Sequence, residues 1–170
     1  MNVDDNNEYF KLAYNYVLHT ACPIYLTGKA GTGKTTFLKH VKKYCTKNMI
    51  VVAPTGVAAI NAGGVTMHSF FQLPFGPYVA NAPRGFGMNE NLVDKNTLLN
   101  NLKFGNNKRT LIQELELLII DEVSMLRSDM LDAMDTILRV IRKRNKPFGG
   151  VQVLFIGDLY QLPPVVKDTE

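Results

Sequence analysis

Gly28-Lys29-Ala30-Gly31-Thr32-Gly33-Lys34-Thr35 is the stretch on which the reading of this chain turns. It fits the phosphate-binding pattern GxxxxGK[ST]. Before it, Ile24-Tyr25-Leu26 follows Pro23 and reads as a short strand. After it, Phe37, Leu38 and Val41 fall on one face of a helix, with Tyr44 following. Three glycines in six positions let the backbone take positive dihedrals and turn its amides toward an anion at the start of that helix. Lys34 adds a point charge at the outer phosphates, and Thr35 an oxygen for Mg²⁺. The alternative is a glycine-rich strand-to-helix turn that holds no ligand.

Working outward, Asn6 or Asn7 can cap a first helix with Phe10, Ala13, Tyr14, Val17 and Leu18 at helical spacing, ending before Pro23. Met49 to Ala53 is a short apolar run of the kind buried in a parallel sheet, and it ends at Pro54-Thr55-Gly56. A small helical turn from Val57 to Asn61 stops at Gly63-Gly64. Proline, glycine and asparagine between Gln72 and Asn91 predict a long irregular loop. Leu92 to Leu102 and Arg109 to Leu115 read as helices separated by a turn at Gly105-Asn106-Asn107. Ser128 is expected to cap a helix with Leu131, Met134, Ile137, Leu138 and Ile141 inward. Arg139, Arg142, Lys143 and Arg144 crowd its end, where they either compensate the helix dipole or touch nucleic acid. Val151 to Ile156 is a last buried strand. Four apolar strands alternating with helices predict an α/β fold, a mainly parallel sheet covered by helices on both faces.

In such sheets ligands bind beyond the carboxyl ends of the strands, and the polar clusters lie at those ends. Leu117-Leu118-Ile119-Ile120 delivers Asp121 and Glu122 together. One carboxylate can hold Mg²⁺ beside Thr35 while the other orients or deprotonates an attacking water. Adjacent strand residues point to opposite sides, which favours two separate jobs over an acid/base dyad. Asp158 and Gln161 follow the last strand, where a γ-phosphate sensor belongs if that strand neighbours the phosphate-loop strand. Thr55, His68, Phe70 and Phe71 follow the second strand and suit phosphate contacts and base stacking, although aromatics are more often core.

Composition sets the frame. The 170 residues, 46% hydrophobic, suffice for one α/β core. A net charge of +4 and a pI near 9.0 are compatible with a polyanionic partner without requiring one. Cys22 and Cys45 suggest neither a disulfide framework nor a zinc site; both read as buried or idle thiols in a reducing compartment. The polar, acidic start lacks a secretory pattern, and no stretch reaches membrane-span length, so the expectation is a cytoplasmic protein without a membrane partner.

GKAGTGKT at Gly28 to Thr35, APTGVAA at Ala53 to Ala59, GVTMHSFF at Gly64 to Phe71, LLIIDEVSM at Leu117 to Met125 and FGGVQVLFIGDLYQLPPVV at Phe148 to Val166 together resemble the first RecA-like motor domain of the Pif-one helicases, close to the RecD-type enzymes of superfamily one. The resemblance implies a P-loop NTPase fold and an ATP- and Mg²⁺-dependent five-prime to three-prime DNA motor. It implies nucleotide contacts from Gly28, Ala30, Gly31, Thr32, Gly33, Lys34, Thr35, Thr36 and Asp158. Thr35 and Asp121 become Mg²⁺ ligands, Lys34 and Glu122 catalytic, and Gln161 the residue that couples nucleotide state to DNA. Thr55 and His68 become contacts to single-stranded DNA. It also implies that the Val151 to Ile156 strand lies between the other two nucleotide-site strands.

Two departures accompany it. No glutamine precedes Gln72 to read adenine, and no second motor domain with its arginine fingers follows the third motif. A monomer that binds Mg-nucleotide with little turnover, and single-stranded DNA weakly, is therefore expected. A non-catalytic nucleotide- or DNA-binding module is the alternative. A small kinase sharing the phosphate loop fits the tandem Asp121-Glu122 poorly.

Overall fold

The computed structural model describes residues 7–80 and 92–164. In chain order these form α1 (Glu8–His19), β1 (Ile24–Thr27), α2 (Lys34–Tyr44), β2 (Met49–Ala53), α3 (Gly56–Ala62), β3 (Val65–Thr66) and α4 (Met67–Phe71). Then come β4 (Tyr78–Val79), β5 (Val93–Asp94), α5 (Lys95–Asn101), α6 (Asn106–Glu114), β6 (Leu117–Ile120), a 3₁₀ turn (Val123–Met125), α7 (Ser128–Arg142) and β7 (Gln152–Gly157). The main sheet runs β1-β7-β6-β2-β3, and every pair in it is parallel. β7 thus lies between β1 and β6, pairing Thr27 with Gly157 on one side and Phe155 with Ile120 on the other.

The uninterrupted apolar runs explain why this sheet is covered on both faces. Along β6, Leu117 and Ile119 enter the core beneath α1 and α2, while Leu118 and Ile120 enter the one beneath α7. α7 buries Met134, Ile137 and Leu138 in full and Ile141 nearly so. Truncating any of these to Ala removes about 2–5 kcal/mol. No described helix is long and apolar enough to cross a membrane.

The cap of α1 is one of the two expected, whereas several other boundaries differ from expectation, each for a local reason. α1 is capped by Asn7, whose Oδ1 accepts the Phe10 amide at 3.0 Å. Arg127, not Ser128, occupies the N-cap of α7; Ser128 is already helical. Asn106 and Asn107 open α6 after Gly105 rather than forming a turn. The loop expected from 72 to 91 contains β4, which pairs with β5; of the rest, residues 81–91 lie outside those described. β5 also takes the start of the helix expected from Leu92, and Asp94 caps α5. Cys22 is exposed and Cys45 half-buried, and both are free; of the buried or idle alternatives, burial does not apply to Cys22.

Candidate functional site

The phosphate-loop residues run from the end of β1 into α2. Gly31 and Gly33 have φ of 81° and 95°, a region closed to most side chains, and Gly33 is the N-cap of α2. Gly28 is required for space: a Cβ there would sit 2.5 Å from Thr32 Oγ1. Thr32 in turn donates from Oγ1 to the Lys29 carbonyl at 2.8 Å, folding the loop around a small hollow. Lys34 Nζ donates to the Gly28 and Lys29 carbonyls of its own loop. A cation solvated by loop carbonyls is one that a bound anion can recruit. Thr35 and Thr36 are exposed on the first turn of α2. Beside the loop, a hollow of about 130 Å³ is bordered by Asn7, Phe10, Gly33 and Lys34.

Asp121 follows β6 directly. Its carboxylate accepts the Glu122 amide at 3.1 Å. Burial raises its pKa above the usual 3.8 and outweighs the opposing effects of that amide and of the Lys34 charge. It is a carboxylate short of positive charge. Glu122 does not continue the strand: its φ is 53°, left-handed, and it caps the 3₁₀ turn. The pleat therefore does not set the directions of the two carboxylates, because β6 stops at Ile120 and Glu122 lies in the turn that follows. Gly157 allows that turn to rest on the end of β7, since a Cβ on it would lie 2.9 Å from Val123 Cγ1 and 3.3 Å from the Ser124 amide. Asp158, 5% exposed, accepts the Tyr160 amide on Oδ1 at 3.0 Å, and its carbonyl accepts the Gln161 amide at 3.0 Å. Glu122, Ser124 and Gln161 line one cavity of about 580 Å³.

Thr35 and Asp121 are hard oxygen donors of the type Mg²⁺ takes, and the half-buried Asp121, whose carboxyl is destabilised as an anion by desolvation, fits a cation. No cluster of three or more His, Cys, Asp or Glu among the described residues could hold a metal by itself. A cation held by Thr35 and Asp121 would need further oxygen ligands from outside the protein.

Thr55 and His68 lie two residues past the paired ends of β2 and β3, where Ala53 stands opposite Thr66. The Thr55 hydroxyl caps α3 by accepting the Ala58 amide at 3.2 Å, which leaves its own proton to donate. His68 is held neutral, its pKa lowered by burial and then by Arg127. Phe70 and Phe71 are buried, and Lys108 lies over the Phe70 ring at 3.2 Å from its centroid. Sequence reasoning passed over two residues here: Ser124, whose buried hydroxyl finds no hydrogen-bond partner among the described residues, and Phe75, exposed and stacked on His68. Ser124 carries no periodic signal that could have marked it; Phe75, between Pro74 and Gly76, was legible only as part of a loop.

The basic end of α7 is structural in the case of Arg142. Its Nη1 donates to the Ile112, Gln113 and Leu115 carbonyls and its Nε to Gly149, so it caps α6 rather than its own helix. Arg139 pairs with Asp135 at 2.6 Å and with Asn145.

Residues 2–170 match the family model described as PIF1-like helicase. The ATP-dependent DNA helicase PIF1 of Saccharomyces cerevisiae is 39% identical over 150 residues, covering 85% of this chain and 16% of the relative. Among solved structures, Bacteroides Pif1 bound to single-stranded DNA is 45% identical with a TM-score of 0.80, covering 96% of this chain and 34% of that one. Bacteroides Pif1 in complex with ADP-AlF4 is 47% identical, also with a TM-score of 0.80 and the same coverage. The chain therefore spans about a sixth of that curated relative and about a third of the solved ones.

Proposed function

The chain belongs to the PIF1-like helicase family, and on that premise we propose that it is the first RecA-like, ATP-binding motor domain of a DNA helicase. One observation supports the reading above the rest: Lys34, Asp121, Glu122 and Gln161 all follow the carboxyl ends of three adjacent parallel strands, β1, β6 and β7.

In this reading the phosphates of ATP lie on the amides of residues 28–36, with Asp158 closing the far side. Lys34 leaves its loop carbonyls for the outer phosphates. Thr35 and Asp121 hold Mg²⁺, which when bound neutralises charge on the phosphate oxygens. Glu122 orients or deprotonates the attacking water, and Gln161 hydrogen-bonds a γ-phosphate oxygen without adding charge. The base lies toward the hollow beside Asn7 and Phe10, read without a glutamine. Arginines from a second motor domain supply the charge that speeds this chemistry by about a thousandfold or more, so turnover by this domain alone is slow. In the whole protein hydrolysis drives five-prime to three-prime movement along single-stranded DNA and unwinding, with Thr55 and His68 touching the strand.

The test is ATP binding and single-turnover hydrolysis by the purified chain and its Glu122→Gln variant with Mg²⁺. The variant should keep ATP affinity within about threefold while losing the slow turnover. Failure of both proteins to bind ATP would refute the motor reading. Turnover at helicase rates on adding single-stranded DNA would refute the claim that arginines are needed from elsewhere.

A further inference from the structure

The aromatic side chain offered to solvent beyond β2 and β3 is neither Phe70 nor Phe71. It is Phe75, 90% exposed, its ring lying over the His68 imidazole with centroids 5.6 Å apart and planes inclined by 11°. Leaving a phenylalanine ring in water forfeits the stabilisation its burial would give. The ring is also held in place. Before it, Leu73 is buried and Gln72 Oε1 accepts the Lys103 amide at 2.7 Å. After it, Tyr78 is buried, donates its amide to Asp129 Oδ2 at 3.0 Å, and shares a 2.9 Å hydrogen bond between its hydroxyl and Thr136. Pro74 and Pro77 flank the exposed tip and restrict its backbone further. A ring fixed in this way has little conformational entropy left to lose when a ligand covers it.

The position is specific as well. His68 lies two residues past the end of β3, as Thr55 lies two past the end of the paired strand β2. Because burial and Arg127 keep the imidazole neutral, the pair is a π-surface and not a cationic one. Flat, neutral, aromatic and rigid is the chemistry that takes the face of a base and is indifferent to which base.

We infer that Phe75, stacked on His68, is a shelf on which one nucleobase of single-stranded DNA lies. The inference rests on the DNA-motor reading and adds to it a base contact beside the backbone contacts of Thr55 and His68. The shelf makes binding depend on bases, whereas phosphate contacts depend only on charge.

Fluorescence anisotropy with two labelled oligomers of about ten units separates these terms. One is oligothymidine; the other is an abasic phosphodeoxyribose strand of equal charge. The wild-type chain should prefer oligothymidine by about tenfold, Phe75→Ala should bind both strands equally with unchanged abasic affinity, and Phe75→Trp should restore the preference. Phe75 is exposed, so its replacement leaves the core intact; ADP affinity checks this. Equal wild-type binding of both strands, or a preference that survives in Phe75→Ala, overturns the shelf and leaves the DNA-motor reading standing. Binding of neither strand by the wild type overturns both the shelf and the assignment of this face to DNA.

Discussion

At the amino ends of the strands polar groups are tied down, whereas at the carboxyl ends they are left under-partnered. Gln152, 2% exposed at the start of β7, bonds Tyr16, Thr20 and Cys22 through Nε2 and receives Lys47 on Oε1 at 2.7 Å. Lys47 also donates to the Val17 and Thr20 carbonyls, and Arg142 closes the end of α6 onto β6. At the opposite end, Lys34 leans on its own loop, Asp121 is short of positive charge, Ser124 has a buried hydroxyl without a described partner, and Gln161 and Phe75 face solvent. One end holds the sheet together, and the other is the end to which the proposed reading assigns ligands. Satisfied networks stabilise a fold, and unsatisfied groups persist where a partner arrives later.

The contrast can be broken most severely at the amino end. Arg142→Ala strands the carbonyls of Ile112, Gln113 and Leu115 and should cost about 3 kcal/mol, lowering Tm by roughly 6–12 °C. Calorimetry checks this, together with the expectation that nucleotide affinity at temperatures where the variant is folded does not change.

Gly157→Ala acts at the other end. Its Cβ would press on Val123 and on the Ser124 amide, shifting the Glu122 turn by a few tenths of an ångström at a stability cost of about 1 kcal/mol. The loss should fall on turnover: single-turnover hydrolysis should drop at least tenfold while ADP binds normally. Equal losses in stability and ADP affinity would show that the turn is scaffold, not site.

Lys108 belongs to neither regime, since its ammonium is attracted by the Phe70 ring yet penalised by burial. Burial wins and draws its pKa from 10.5 to about 8. Between those values the unfolded chain holds a proton that the folded one has lost, so stability rises with pH from about 8 to about 10.5 and the cost is in full force below 8. Lys108→Met should raise Tm at pH 7 by about 1–3 °C and flatten that rise, as thermal melts across the window will show.

What the sequence made legible follows from the range of each signal. The strands at Met49 to Ala53 and Leu117 to Ile120, the inward face of α7 and the placing of β7 between β1 and β6 rest on apolar runs or on whole motifs, and they stand as read. The pairing of β4 with β5 joins two two-residue strands across a long connection, and no local pattern encodes it. Glu122 looked like strand because it follows one; its left-handed φ is set by the turn packed on Gly157. Arg142 was read against its own helix because periodicity says nothing of the neighbouring one. Phe70 and Phe71 differ from Phe75 not in chemistry but in which side of α4 and its loop faces the core.

Lys34→Ala tests the central claim most directly, because in the proposed reading Lys34 serves the ligand. In the fold it bonds, among the described residues, only the Gly28 and Lys29 carbonyls of its own loop. Titration of the chain with Mg-ADP, paired with a thermal melt, should show affinity falling by about thirtyfold or more while Tm without nucleotide moves by less than about 2 °C. Unchanged ADP affinity in Lys34→Ala would contradict the assignment of residues 28–36 as the phosphate site.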